Sequence, residues 1–427
     1  MRNFLAAWFG IALWKRILGA MALGVAVGAL WGPGSESILW IGDLFIRLIR
    51  MLIVPIVFLT VISGVASMGD PAKLGSLGIK TIALFLATSI IAISIGVALA
   101  VIMQPGAGAD LSNAVPGAAQ EAVPLAERLM SIIPNNPIAA LAEGNVLAII
   151  FFAVLLGIGL VAVGEPAKPL TNLLDIGVDV ILRITGWVLE IAPFGVFALI
   201  AWVAGTLGLG AFLDVVSVAI ALFVGSLIHM VVVYGVLILR VLLKLPPARF
   251  LLGIREALLV AFSTSSSTST LPVSMTVAKE NLGVRPVVAS TVLPVGATIN
   301  MDGTALYVGI VSLFGAQVFG FELGLADYVI IALTGALVSI ATPTVPSGSL
   351  FLMAVVMETF GMAPEQIAIV VGFILAFDRP LDMWRTLVNI CGDLAVATTV
   401  AKWENELDAT AFEREPVAEK PKTPSAV

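Results

Sequence analysis

Ser263-Thr-Ser-Ser-Ser-Thr-Ser-Thr-Leu-Pro272 lies between two apolar arms, and Thr342-Pro-Thr-Val-Pro-Ser-Gly-Ser349 lies between two more. They interrupt apolar segments at about 248–283 and 326–360, and each half is shorter than the roughly 20 residues a spanning helix needs. Helix, polar break, helix is the pattern of a re-entrant hairpin. Non-helical backbone at membrane depth has to be buried in protein or line a cavity. Outward from the hairpins the chain stays apolar: 427 residues, 59% hydrophobic and 12% charged, with mean hydropathy +1.09. A soluble domain carries about 25% charged residues, and half that share cannot cover its surface. The expected fold is therefore an all-α polytopic membrane protein.

Eight further segments are apolar and long enough to span: about 16–32, 40–67, 78–103, 144–164, 172–205, 213–243, 287–318 and 364–401. Lengths above 25 residues imply tilt. The N-terminal apolar stretch lacks a small-residue cleavage site and reads as an uncleaved membrane anchor. With the N-terminus in the cytoplasm and each hairpin returning to its own side, all but six of the 22 lysines and arginines fall inside. Of those six, Arg47, Arg50, Arg183, Arg379 and Arg385 lie within spans, leaving Arg128 in an outer loop. That bias obeys the positive-inside rule and brings the first hairpin in from the cytoplasm, the second from outside. The loop at about 104–143 reads as an external connection, and 404–427 as a disordered cytoplasmic tail.

Twice in the second half a broken hairpin precedes a long span carrying polar residues. An inverted repeat with interrupted helices points to a secondary transporter that binds near the midplane. Composition narrows the other classes. One cysteine, Cys391, excludes an intrachain disulfide framework, and one histidine, His229, excludes histidine-rich metal clusters. His229 reads as a packed or helix-bonding side chain. The net charge of -6 and the lack of a basic run give no nucleic-acid footprint.

The last span is the most polar: Asp378, Arg379, Asp382, Arg385, Thr386, Asn389 and Asp393. At about 100° per residue, Asp378, Asp382, Arg385, Thr386, Asn389 and Asp393 share an arc of roughly 100°. A charge at mid-membrane costs at least about 2.5–3.5 kcal/mol, so such a stripe faces a cavity and marks a substrate or ion path. In the seventh span, Gly296-Ala-Thr-Ile-Asn-Met-Asp-Gly-Thr304 places Asn300, Asp302 and Thr304 in an apolar helix. A glycine beside Asn-Met-Asp suggests unwinding, which frees main-chain carbonyls; with a carboxylate these suit a small hard cation such as sodium. The hydroxyls and N–H groups of 263–270 can receive a carboxylate. Asp302, Asp378, Asp382 and Asp393 against Arg379 and Arg385 leave two negative charges uncompensated, which co-bound cations would offset when an acidic substrate enters.

Four motifs carry a resemblance: Ser-Ser-Ser-Thr-Ser-Thr-Leu-Pro (265–272), Asn-Met-Asp-Gly-Thr (300–304), Val-Pro-Ser-Gly-Ser (345–349) and Asp-Met-Trp-Arg-Thr-Leu-Val-Asn-Ile-Cys-Gly-Asp (382–393). Over roughly 10–403 the chain resembles the glutamate transporter family, the dicarboxylate/amino acid:cation symporters. The resemblance implies a homotrimer whose scaffold (about 16–67 and 144–205) stays fixed while a transport unit (about 78–103 and 213–402) moves as an elevator. It implies that Arg385 holds the substrate's side-chain carboxylate and Asp382 its α-ammonium, with Thr386 and Asn389 assisting. Thr304, Asp378 and the hairpin residues Ser265, Ser266 and Ser267 complete the pocket, and Val345 to Ser349 form an outer gate. Gly296, Asn300, Asn389 and Asp393 match one sodium site. Thr298, Ser339, Ile340 and Thr342 match a second, and Phe85, Thr88, Ser89, Asn300 and Asp302 a third. Where many members carry a second arginine, this chain has Ser265 and Met383, with Arg379 as the nearby cation.

The resemblance thus implies a sodium-driven importer of L-aspartate or L-glutamate in a prokaryotic inner membrane, with no covalent chemistry and no cofactor beyond the co-transported ions. The alternative within the class is a proton- or sodium-coupled C4-dicarboxylate symporter, against which Asp382 counts because such a substrate brings no ammonium. An intramembrane aspartyl protease would need Tyr-Asp and Gly-x-Gly-Asp contexts that the motifs lack. A channel fits poorly with a site built to enclose its substrate.

Overall fold

The structure is a computed structural model and describes residues 10–11, 13–66, 71–107, 130, 133–208, 210–340, 342, 349–375 and 377–414. Val345 of the outer gate and residues 415–427 lie outside them. Among the described residues the regular structure is helical, apart from an isolated β-bridge between Val284 and Leu407.

The helices are α1 (Leu13–Trp31), α2 (Leu39–Ala66), α3 (Pro71–Met103), α4 (Pro137–Glu143), α5 (Val146–Val163), α6 (Lys168–Leu189), α7 (Ala192–Trp202) and α8 (Ala211–Leu227). α8 continues as a π-helix over Ile228–Leu242. Then come α9 (Pro247–Thr264), α10 (Ser267–Glu280), α11 (Pro286–Ile299), α12 (Asp302–Val318), α13 (Leu325–Ile340), α14 (Ser349–Glu358), α15 (Pro364–Leu375), α16 (Asp378–Trp403) and α17 (Ala409–Glu413).

Local chemistry sets the breaks. Proline opens α4, α9 and α11, where a missing N–H costs nothing. In the first hairpin Ser265 ends α9 in the left-handed region (φ 51°, ψ 39°), and Ser266 caps α10 by accepting the Ser269 N–H at 3.2 Å. The chain thus reverses within two residues. In the seventh span Asn300 (φ -85°, ψ 97°) and Met301 (φ -123°, ψ 50°) leave the helix. Unwinding therefore falls on the Asn-Met pair, while Gly303 stays in the first turn of α12 and serves another purpose.

Among the described residues, four stretches could cross a membrane unaided by length and composition: Lys15–Ala66, Ser76–Met103, Val215–Leu242 and Pro286–Val318. The pair Glu165–Leu189 and Ala192–Thr206, bent by 48°, makes a fifth if counted as one span. The continuous last span expected over 364–401 is instead two helices, α15 and α16, with Asp378 in the first turn of the second.

α1 packs along α7, and α2 packs on α5, α6 and α7. α3 lies against α12, α13, α8 and α16, and the first hairpin lies against α16. Glycines permit the tightest approaches: a Cβ on Gly28 of α1 would stand 2.3 Å from the Ala201 carbonyl oxygen of α7, and one on Gly24 2.9 Å from that of Phe197.

The disorder expected from residue 404 is corrected as far as Arg414. The Asp408 N–H donates to Gly283 O at 2.8 Å, and the Arg285 N–H donates to Glu406 O at 3.0 Å. Phe412 is buried in the apolar cluster that holds Phe250, Ile254 and Leu282. A buried Phe412, a half-buried Leu407 and an Asp408 cap are too sparse a pattern to stand out in a charged, proline-bearing sequence.

Candidate functional site

α16 carries the polar stripe into the interior. Arg385 is 1% exposed. Its Nη2 donates to Asp382 Oδ1 at 2.8 Å and lies 3.0 Å from Asp378 Oδ1, and its guanidinium sits 4.0 Å from the ring centroid of Tyr307 on α12. The Tyr307 hydroxyl donates to Asp378 Oδ1 at 3.0 Å, closing a small network. Arg385 Nε and Nη1 have no partner among the described residues. A buried guanidinium with unspent donors is costly unless an anion completes it.

Asp382 also lies near a second cation, with Arg379 Nη1 3.6 Å from its Oδ2. A substrate without an ammonium would therefore leave Asp382 beside Arg379 and Arg385 rather than stranded, as the sequence suggests it would be. Thr386 donates back to the Asp382 carbonyl at 2.9 Å, which leaves its lone pairs to accept. Thr304 and Ser267 are buried, and Ser265 and Ser349 carry buried hydroxyls without a partner among the described residues. Ser266 is engaged as the α10 cap.

Asn389 reaches across to the seventh span. Its Oδ1 accepts the Gly303 N–H at 2.8 Å, and its Nδ2 lies 3.2 Å from Met301 Sδ. It pins the unwound pair to α16. Asn300 joins the same region, with Nδ2 2.9 Å from Asp393 Oδ1 and 3.2 Å from the Asn389 carbonyl oxygen. Gly296 stands against Asp393, since a Cβ there would lie 2.6 Å from Asp393 Oδ1. The first expected ion-site set is thus brought together.

In the third set, Ser89 donates to Asp302 Oδ1 at 2.6 Å, and Thr88 donates to Phe85 O at 3.1 Å. The second set is joined less directly. Thr342 donates its N–H to Ser339 O at 3.1 Å, whereas the Thr298 hydroxyl donates back to Val295 O at 2.9 Å and faces Gly64 of α2. Ile340 closes α13.

Three side chains escaped the sequence reading. His229 bonds to Asp302 rather than to its own helix, with Nε2 3.1 Å from Oδ2, and the Tyr234 hydroxyl donates to the same oxygen. Tyr307 is the third. The chain has only three tyrosines, and a tyrosine in an apolar span needs a partner for its hydroxyl; that signal was available.

Unspent guanidinium donors, a helix broken at Asn-Met and carboxylates around the break suit binding and release of an anion with cations. Over residues 13–403 the chain matches the sodium:dicarboxylate symporter family. The chain belongs to that family. It is similar to the proton/sodium-glutamate symport protein of Bacillus subtilis, at 34% identity over 93% of both chains. It is also similar to the proton/glutamate-aspartate symporter of Escherichia coli, at 33% identity over 96% of this chain and 97% of that one. A C4-dicarboxylate transport protein of Allorhizobium ampelinum is 35% identical over 94% of this chain and 90% of its own length. Membership makes the chain a multi-pass membrane symporter, and the family is one of transporters rather than enzymes.

Proposed function

We propose that the chain imports L-aspartate or L-glutamate together with sodium across a prokaryotic inner membrane, with both termini in the cytoplasm. It works as a homotrimer whose inner unit moves as an elevator. The observation that carries the substrate class is Arg385: buried, held between Asp378 and Asp382, and with Nε and Nη1 unspent. A substrate carboxylate takes those donors, which a charged hydrogen bond makes worth more than a neutral one. The α-ammonium then takes over Asp382, and Thr386, Thr304 and the hairpin serines line the rest. Main-chain oxygens at the Asn300–Met301 break, with Asp302 and Asp393, receive the cations. Packing supports the division into units, since α1 lies on α7 and α2 on α5 to α7, while the site residues sit on the other helices.

C4-dicarboxylate transport is the second reading, favoured by Arg379 beside Asp382, which lets that carboxylate stay paired without an ammonium. Uptake of labelled L-aspartate into liposomes separates the two readings. The comparison is an inward sodium gradient against an inward proton gradient at zero sodium, with unlabelled L-glutamate, succinate and L-serine as competitors. Sodium-dependent uptake blocked by glutamate and not by succinate is expected. Proton-driven uptake blocked by succinate moves the protein to the dicarboxylate branch. Arg385→Cys is expected to lose acidic substrates and keep or gain serine; undiminished aspartate affinity would remove Arg385 from the site.

A further inference from the structure

His229, Tyr234, Asp302 and Ser89 form a fully buried cluster from three different spans. Asp302 Oδ2 receives both His229 Nε2, at 3.1 Å, and the Tyr234 hydroxyl, while Oδ1 receives the Ser89 hydroxyl at 2.6 Å. An Asp302 carboxylate only accepts, so its bond to His229 requires the tautomer protonated on Nε2; Nδ1 has no partner among the described residues. The rings of His229 and Tyr234 meet edge to face, with centroids 4.6 Å apart.

The backbone explains how one helix delivers both donors. In an α-helix, residues five apart stand about 140° apart around the axis. His229 and Tyr234 lie on a π-helix, Ile228–Leu242, whose i→i+5 winding brings such residues to one side. Gly392 of α16 leaves the room, since a Cβ there would stand 2.3 Å from the Tyr234 hydroxyl and 2.6 Å from Asn300 Nδ2.

The acceptor count then becomes directional. A carboxylate offers roughly four acceptor positions. Span six takes both of those on Oδ2, and Ser89 takes one on Oδ1. What remains is one position on Oδ1, the oxygen that Ser89 of α3 holds. Two residues before Asp302, the buried Asn300 Oδ1 also lacks a partner among the described residues. Two unspent oxygens on one short segment are ligands of the kind a desolvated hard cation takes.

We propose that His229 and Tyr234 are positioning residues for cation coupling: from the π-helix they hold Asp302 Oδ2 and thereby present Oδ1 to the co-transported sodium ion. This rests on the sodium reading above. The two residues do not touch the ion. They fix the ligand that does, as outer hydrogen-bond partners fix ligands at other metal sites.

The test titrates the full-length protein in detergent with sodium chloride against choline chloride at constant ionic strength, following thermal stability and tryptophan fluorescence. Losing an outer partner costs roughly 10- to 100-fold in metal affinity, so His229→Leu and Tyr234→Phe are each expected to raise the sodium midpoint by about tenfold or more. His229→Gln, which keeps an N–H donor, is expected to restore the wild-type midpoint. Tyr234→Phe removes one oxygen and guards against a misfolded histidine variant. If both losses lower the melting temperature without sodium yet leave the sodium midpoint unmoved, the pair is merely structural and the proposal is overturned. A wild-type protein indifferent to sodium overturns the sodium reading and this proposal together.

Discussion

At the scale of single residues, the site depends as much on missing carbons as on charges. Gly303 packs its Cα against α16, where an added Cβ would stand 2.3 Å from the Arg385 carbonyl oxygen. Backbone cannot rotate out of the way as a side chain can. Gly303→Ala is therefore expected to push α12 from α16, at a cost of about 1–3 kcal/mol. It would also part Tyr307 from Arg385, because both contacts cross that seam. Melting temperature and aspartate affinity should fall together. Gly186→Ala on α6 is the control: its Cβ meets nothing within 4 Å, and an interior alanine is favoured over glycine by about 1 kcal/mol. An unchanged Gly303→Ala protein would show that α12 and α16 do not press together at this point.

At the scale of elements, the strap after α16 ties together segments far apart in sequence. Glu404 accepts from Lys80 Nζ and from Ser76, both at 2.8 Å, and Gly283 takes φ +68° where the strap crosses it. The Lys80 ammonium, then the Ser76 hydroxyl, hold the Glu404 carboxyl below its ordinary value. A lowered folded-state value contributes stability that is present above the ordinary value and lost as pH falls through the lowered one. Wild-type protein should thus exceed Glu404→Gln in melting temperature at neutral pH, and the difference should vanish as pH drops below about 4. A constant difference down to pH 3 would remove that ion pair from the account. Phe412→Ala empties a buried site, and because the strap can detach alone it should speed proteolysis at Glu404 and Glu406 more than it lowers overall stability. The helical class and the break at Ser265-Ser266 were legible because runs of apolar residues and polar interruptions are local. The strap was not, since its order comes from Gly283, Phe250 and other partners more than a hundred residues away. His229 and Tyr234 hid for a related reason: α spacing puts them on different faces, and only the π winding joins them.

At the scale of the whole molecule, the chain divides by how tightly its helices approach. α1 and α7 close on one another through Gly24 and Gly28, and α3 closes on α12 through Gly96, whose Cβ would stand 2.2 Å from the Leu306 carbonyl oxygen. Between the two groups the glycine contacts are looser: among the described residues a Cβ on Gly372 of α15 would meet Ile46 Cδ1 of α2 at 3.4 Å, and one on Gly64 of α2 would meet Thr298 Oγ1 of α11 at 3.7 Å. Faces without interlocking backbone can slide, and the groups proposed to bind substrate all lie on one side of that seam. The elevator reading therefore predicts that binding and transport come apart when the seam is locked. Ile46→Cys with Gly372→Cys, in a Cys391→Ala background that removes the one native cysteine, places a bridgeable pair across it. Mercury cross-linking should abolish uptake into liposomes while leaving aspartate binding close to that of the uncross-linked protein. A reducing agent should restore uptake. Binding lost along with uptake would mean that the seam reaches into the pocket. Undiminished uptake in the cross-linked protein would require transport to proceed without these two groups moving past one another.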